Sequence, residues 1–98
     1  MFNSITMPEF LTLKNILVVD VREDDEYVSG HIPNSIHIPL YELENRLNEL
    51  DKSKKYYMVC YSGSRSQHAC MIAANKGYNV INVMGGMSTY KGVLDYEM

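Results

Sequence analysis

Cysteine is scarce in this sequence, which has two in 98 residues, Cys60 and Cys70. They do not form a Cys-x-x-Cys pair, and no second cluster of Cys and His has zinc-ligand spacing, so no metal site is expected. No apolar run is long enough to cross a bilayer, so we expect no membrane partner. The first ten residues lack the basic and apolar segments of a secretory signal, which predicts a cytoplasmic protein with two free thiols.

Excess positive charge is lacking as well. The net charge is −3 and no basic face stands out, which argues against nucleic acid as a partner. The remaining composition, 46% hydrophobic and 21% charged residues, is ordinary for a soluble globular protein. A chain of 98 residues is sufficient for one domain and not for two, so residues 1–98 are expected to form a single domain.

Short β-rich runs alternate with helical patterns along the chain. Strands are predicted at residues 4–6, 16–21, 35–40, 56–60 and 79–84. Helices are predicted from Pro8, over residues 23–30, along the leucines between 40 and 50, over residues 66–77, and briefly after residue 85. This alternation predicts an α/β fold with a mainly parallel central sheet of about five strands and helices on both faces.

The segment from Cys60 to Arg65 combines features of a reactive thiol. Cys60 ends a predicted strand, and ligands of parallel sheets bind beyond such strand ends. Cysteine reacts as the thiolate, which the following helix N-terminus and Arg65 both favour. Gly63 can adopt φ > 0, and successive amides in such a turn bind an anion. The alternative is a small buried hydrophobe, the usual state of a lone cysteine.

The segment "CYSGSRS", residues 60–66, resembles the active-site loop of rhodanese-like domains, in which four residues separate a cysteine from, commonly, an arginine. Three more segments are similar to signatures of that family, in the same order: "VVDVRE" (18–23), "YVSGHIPNSIHIPL" (27–40) and "MGGMSTY" (84–90). Two positions depart from the family pattern. Asn34 replaces a usual glycine but tolerates φ > 0, and Tyr90 replaces a usual tryptophan, which we interpret as a packing change.

The resemblance implies a sulfurtransferase without metal or organic cofactor. In that family a cysteine thiolate takes the outer sulfur of a small anionic donor such as thiosulfate, and the persulfide passes it to cyanide, a thiol or a protein acceptor. Carried over, Cys60 is the catalytic nucleophile. Arg65 would orient the donor, and Ser66 would cap the helix or donate to the persulfide. The implied substrate-binding loop around the persulfide comprises Tyr61, Ser62, Gly63, Ser64, Arg65 and Ser66.

Two other functions stay open. A sulfur-carrier module with little activity on small donors needs the same loop, so the sequence does not separate it from the enzyme. A phosphatase or arsenate reductase is less favoured, because relatives of that kind have five residues between cysteine and arginine, whereas this chain has four.

Several polar residues outside the loop are interpreted as structural. Asp20 is expected to bond backbone amides, with Arg22 paired nearby, but an active-site role stays open because Asp20 lies at the carboxyl end of a strand. His31 is expected to bond the backbone, and the acidic run 23–26 is expected to be a solvated helix start. Cys70 lies in an apolar run and is interpreted as a buried helix residue. The alternative, a disulfide partner for Cys60, requires closer contact than ten residues and a helical turn suggest.

Overall fold

The central element is a sheet of five strands whose neighbouring strands all pair in parallel. A computed structural model describes residues 1–96, so the last two residues of the predicted domain, Glu97 and Met98, lie outside the described residues. The order across the sheet is β1-β5-β4-β2-β3, which places β4 at the centre. In chain order, β1 to β5 span Asn3–Thr6, Leu17–Asp20, Ile36–His37, Lys55–Val59 and Asn79–Met84.

Four α-helices connect or flank these strands, and the predicted α/β architecture is confirmed. None of the helices described has the length and apolar character that crossing a membrane requires. The helices α1 to α4 span Met7–Phe10, Asp24–Val28, Leu40–Arg46 and Ser64–Asn75, and short 3-10 turns cover Leu47–Glu49 and Gly86–Thr89.

The central strand β4 packs on both faces, as an almost wholly apolar strand in a parallel sheet must. Tyr56, Met58 and Cys60 belong to the core cluster that includes residues of α3 and α4. Val59 belongs to a second cluster with residues of α1, and Tyr57 packs against it. Because side chains alternate along a strand, Cys60 lies on the α4 side of the sheet. Helices therefore cover both faces, as predicted.

Some predicted boundaries differ from those in the structure. The strand predicted over residues 35–40 is reduced to Ile36–His37, because Pro39 cannot donate to a sheet and α3 begins one residue later. The short helix predicted after residue 85 is a 3-10 turn. The helix predicted from residue 66 begins at Ser64, so Arg65 lies in its first turn. Gly77 ends that helix with φ +91°, as predicted.

Candidate active site

Cys60 lies directly after β4 at the carboxyl edge of the sheet and is fully buried. A loop of three residues then leads to α4. Its last residue, Gly63, has φ +110°, in the left-handed region that favours glycine. In this conformation the Gly63 N–H donates to Cys60 Sγ at 3.0 Å. The sheet therefore fixes the sulfur, and the glycine turn directs a backbone donor at it.

Ser66 bonds the same sulfur from the first turns of α4. The Cys60 thiol donates to Ser66 Oγ at 3.4 Å. The Ser66 hydroxyl in turn lies 2.6 Å from Asn82 Oδ1 and 3.2 Å from the Gly63 carbonyl. Ser66 is fully buried and does not cap the helix, whose N-cap is Gly63. Of the two expected roles, the structure therefore places Ser66 beside the sulfur.

Asn82, on β5, was not among the residues predicted for the site. Its side chain is buried, and its Oδ1 accepts a hydrogen bond from the Ser66 hydroxyl. A buried amide needs a partner, which Ser66 supplies. The available signal was an asparagine inside the apolar segment 79–84, but its pairing with Ser66 depends on how α4 crosses β5.

Arg65 forms a two-point ion pair with Glu26 of α2. Its two terminal guanidinium nitrogens donate to Glu26 Oε1 at 2.7 Å and Oε2 at 2.9 Å. These hydrogen bonds lower the pKa of Glu26 to about 2, with help from the Glu23 N–H, and burial opposes them. The pKa of Arg65 is raised, mainly by the same bonds. The expectation that the acidic run is only solvated was wrong for Glu26.

The turn after β5 holds the start of the loop in place. Met87 N–H donates to the Cys60 carbonyl, and Ser88 N–H donates to the Tyr61 carbonyl, both at 2.8 Å. Gly86, at φ +52°, touches the same two carbonyls so closely that a Cβ there would clash with both. The predicted C-terminal signature "MGGMSTY" therefore has a physical role, because its glycine permits this backbone contact.

The remaining loop residues face outward. Tyr61, Ser62 and Ser64 are exposed, and within residues 1–96 their amides make no hydrogen bond to Sγ. Two cavities border the loop. The first, of about 330 Å³, is called the Ser62 cavity and lies against Ser62, Gly63, Ser64, Gln67, Asn82 and Met84. The second, of about 170 Å³, is called the Glu26 cavity and lies against Arg22, Glu26, Gly30, Tyr61, Met87 and Tyr90.

Asp20 and Arg22 form a buried pair with structural contacts. Arg22 Nη2 lies 2.7 Å from Asp20 Oδ2 and also donates to the Gly30 carbonyl at 2.9 Å. His31 Nδ1 lies 2.8 Å from the Tyr27 carbonyl, and its backbone pairs with Asp95. The Arg22 N–H also donates to Asp20 Oδ1 at 3.0 Å, so Asp20 and His31 bond the backbone and Arg22 pairs with Asp20, as predicted.

Two residues near this pair also have clear structural roles. His37, which the sequence analysis did not single out, stacks on Tyr27 with ring centroids 4.2 Å apart. Asn34 has φ +68°, so the predicted left-handed turn is confirmed.

Cys70 is a fully buried free thiol inside α4. Burial raises its pKa to about 12, and the nearby Cys60 adds to the effect. The structure thus favours the buried helix residue over the disulfide partner. Within the described residues, no group of three or more His, Cys, Asp or Glu side chains is arranged to hold a metal ion.

This geometry can be compared with known proteins. The family model for the rhodanese-like domain matches residues 8–92. The chain belongs to the rhodanese-like domain family. The crystal structure of a rhodanese-like domain protein from Staphylococcus aureus superposes with a TM-score of 0.91 at 34% identity, covering 99% of this chain and 100% of that one.

Two curated relatives come from Bacillus subtilis. The putative sulfurtransferase YtwF is 37% identical over 79 residues, which is 81% of this chain and 77% of the relative. The putative sulfur carrier protein YrkF is 42% identical over 80 residues, but this chain covers 43% of its length. The family and these relatives support a function of the sulfurtransferase type for this rhodanese-like domain.

Proposed function

We propose that this rhodanese-like domain moves a sulfane sulfur from thiosulfate or a persulfide, through a persulfide on Cys60, to a thiol or cyanide. The observation that carries the proposal is the environment of Cys60 Sγ at the end of β4. The Gly63 N–H points at the sulfur from 3.0 Å, and the Ser66 hydroxyl lies at 3.4 Å. The Gly63 N–H already donates to the sulfur, and the Ser66 hydroxyl, which accepts from the thiol, can donate once the thiol proton is lost. Such donors stabilise an anionic sulfur, which is what both the thiolate and the terminal persulfide sulfur are.

The proposed reaction has two balanced steps. The Cys60 thiolate attacks the outer sulfur of thiosulfate, a sulfur–sulfur bond forms, and the old sulfur–sulfur bond breaks to release sulfite with its electron pair. The terminal persulfide sulfur is then attacked by a thiolate or cyanide, which leaves as a new persulfide or as thiocyanate and regenerates the Cys60 thiolate. Neither step needs a redox co-reactant, and both are nucleophilic displacements at sulfur.

The loop residues have distinct proposed roles. Gly63 donates its backbone N–H to the anionic sulfur, and Ser66 is positioned to donate its hydroxyl once the thiol proton is lost. Tyr61, Ser62 and Ser64 form the exposed rim that a donor would contact first. Because Cys60 is fully buried, the donor must insert its outer sulfur past this rim. Arg65 places a positive charge in the first turn of α4, and the carboxylate of Glu26 pairs with this charge.

Two further properties belong to the proposal. The two cysteines are both free thiols, which fits a reducing compartment such as the cytoplasm. The single sheet that runs from β1 to β5 supports residues 1–98 as one domain, whose acceptor would be a thiol or another protein.

A sulfur carrier is the second candidate, and the likeness to YrkF favours it. A carrier would use the same persulfide on Cys60 but would receive its sulfur from a protein partner. Slow turnover with thiosulfate, together with rapid loading from a persulfidated protein, would favour the carrier over the enzyme.

The first test is thiocyanate formation from thiosulfate and cyanide by the purified protein, with Cys60→Ser and Cys70→Ser alongside. We expect Cys60→Ser to lower the rate by roughly a thousandfold or more, because the other thiol, Cys70, is buried inside α4 with a pKa raised to about 12. Cys70→Ser is the matched control and should keep the rate within about twofold. Equal rates for Cys60→Ser and the unmodified protein would overturn the catalytic assignment.

A further inference from the structure

The two cavities that border the active-site loop are lined either by uncharged residues or by charges of opposite sign. The residues that line the Ser62 cavity are all uncharged serine, glycine, amide and methionine residues. The Glu26 cavity contains two formal charges, those of Arg22 and Glu26. A donor that approaches through either cavity therefore meets an unpaired cation only if Arg22 or the neighbouring Arg65 is available.

Arg22 is committed to other groups. Its Nε donates to Asp20 Oδ1 at 3.0 Å, and its Nη2 is shared between Asp20 Oδ2 and the Gly30 carbonyl. Asp20 is fully buried, so breaking this pair would leave a charge buried without a partner, which is strongly unfavourable. Arg22 is therefore unsuited to bind a passing anion.

Arg65 is occupied as well, by the carboxylate of Glu26 in a two-point arrangement. Glu26 is itself held in place, since its Oε1 accepts the Glu23 N–H at 2.9 Å at the start of α2. Planar two-point pairs of arginine and carboxylate are the strongest of their kind, and both partners here are about two-thirds buried. The positive charge beside the loop is cancelled by an anion that the fold fixes in position.

The consequence depends on the charge of the donor. Once Cys60 is a thiolate, the group formed by Cys60, Arg65 and Glu26 carries a net charge of about −1, and a donor with two negative charges is repelled about twice as strongly as one with a single charge. Thiosulfate is a dianion. The persulfide group of a thiol carries one negative charge, on the terminal sulfur that is transferred.

Building on the proposed function, we propose that Glu26 is a specificity-determining residue that selects against dianionic sulfur donors. The class of donor that fits this site best is a sulfane sulfur carried with one negative charge or none, as in the persulfide of a thiol. Glu26 acts through Arg65 and through the local potential, and it takes no part in the bond changes.

A matched pair of donors isolates this effect. Methanethiosulfonate, CH₃SO₂S⁻, differs from thiosulfate in having a methyl group in place of one charged oxygen. It transfers its outer sulfur to a thiolate in the same way and releases methanesulfinate. The measurement is kcat/KM for each donor, with cyanide as acceptor and thiocyanate as the product, in the unmodified protein and in Glu26→Gln.

Glu26→Gln keeps an oxygen acceptor for Arg65 and for the Glu23 N–H but removes the charge. We expect kcat/KM to rise about tenfold for thiosulfate and about threefold for methanethiosulfonate, because the gain in energy scales with donor charge. The preference for thiosulfate should therefore rise about threefold. This gain should shrink at about 0.5 M salt, where exposed charges are screened.

Two control variants separate charge from structure. Glu26→Asp retains the charge and should leave the donor preference near that of the unmodified protein. Glu49→Gln removes a carboxylate from a different ion pair, that with Arg46, and should leave kcat/KM unchanged for both donors. Thermal unfolding of each variant checks that the fold is intact.

The outcomes distinguish this proposal from the one on which it rests. In one outcome, transfer depends on Cys60 but Glu26→Gln leaves the donor preference unchanged at low and high salt. That result overturns the role of Glu26 and leaves the proposed function standing. Equal gains for the two donors would overturn it too, since an effect independent of donor charge is structural. A lack of Cys60-dependent transfer from both donors would overturn the proposed function and this inference with it.

Discussion

The two cysteines of this rhodanese-like domain share their burial and differ in the hydrogen bonds around the sulfur. Both are free, fully buried and members of the same core cluster. Cys70 lies within α4, where burial raises its pKa to about 12. Cys60 lies ten residues earlier, directly after β4, where the Gly63 N–H donates to its sulfur and the Ser66 hydroxyl accepts from its thiol. Burial alone disfavours the thiolate of Cys70, and we infer that a buried thiol needs hydrogen-bond donors at its sulfur before it can act as a nucleophile.

The reason lies in the backbone. Within an α-helix, each interior N–H is already bonded to a carbonyl four residues earlier, so none is available to a side chain at the position of Cys70. In the loop after β4, the Gly63 N–H is the unpaired donor of a helix start and can serve the sulfur. The start of α4 therefore offers a hydrogen-bond donor to the sulfur of Cys60, whereas the interior of α4 offers none to the sulfur of Cys70.

The largest expected effect is in the alkylation rates of the two thiols. A thiol with a pKa of about 12 is ionised in roughly one molecule in 10⁴ at pH 8, so Cys70 should react with iodoacetamide at least about a thousandfold more slowly than a free cysteine, and Cys60 should be the faster of the two thiols. Mass spectrometry of peptides after timed alkylation measures both rates in one sample. Comparable labelling of Cys70 in the folded protein would break the comparison.

The next largest effect comes from two glycines. Gly86→Ala places a Cβ against the Cys60 and Tyr61 carbonyls, so we expect a loss of about 3 kcal/mol in the free energy of unfolding and a displaced loop. Gly77→Ala, at the end of the helix that contains Cys70, would place its Cβ in ordinary contact with the Lys52 side chain and should cost about 1 kcal/mol for its positive φ. Urea denaturation measures both. Equal losses would show that the contact with Cys60 adds nothing.

A smaller effect is expected for Ser66→Ala, which removes the hydroxyl beside Cys60. Because a hydroxyl bonds a thiolate more strongly than a thiol, alkylation of Cys60 at pH 7 should slow by about tenfold. Ser53→Ala, on an exposed turn, is the control and should leave the rate unchanged. An unchanged rate in Ser66→Ala would assign the stabilisation of the sulfur to the backbone alone.

The smallest effect concerns the ion pair of Glu26 and Arg65 beside the Cys60 loop. The pKa of Glu26 is lowered from 4.5 to about 2, so its contribution to stability is present above pH 4.5 and is lost as the pH falls toward 2. After allowance for solvent screening, the unmodified protein should lose about 1 kcal/mol more than Glu26→Gln over that interval. Thermal unfolding from pH 5 to pH 2 measures it, and parallel curves would contradict the pairing.

Much of the fold could be predicted from local patterns. The alternation of apolar strands with helical segments was sufficient for the parallel α/β sheet, because strand and helix have different periods of burial. The strand over residues 35–40 was overpredicted, because an apolar run resembles a strand even where Pro39 prevents pairing. The start of α4 was placed two residues late, because its N-cap is a glycine with no side-chain signal.

The sequence by itself determined which cysteine would stand at a strand end, before a glycine turn and a helix start, because these features lie within seven consecutive residues. Its motifs also indicated the family. Only the tertiary structure decided that Glu26 would cancel the charge of Arg65, 39 residues away, and that Asn82 would hold Ser66. Such pairs form where separate elements meet in the folded protein. The order of residues along the chain does not specify which distant side chains become neighbours.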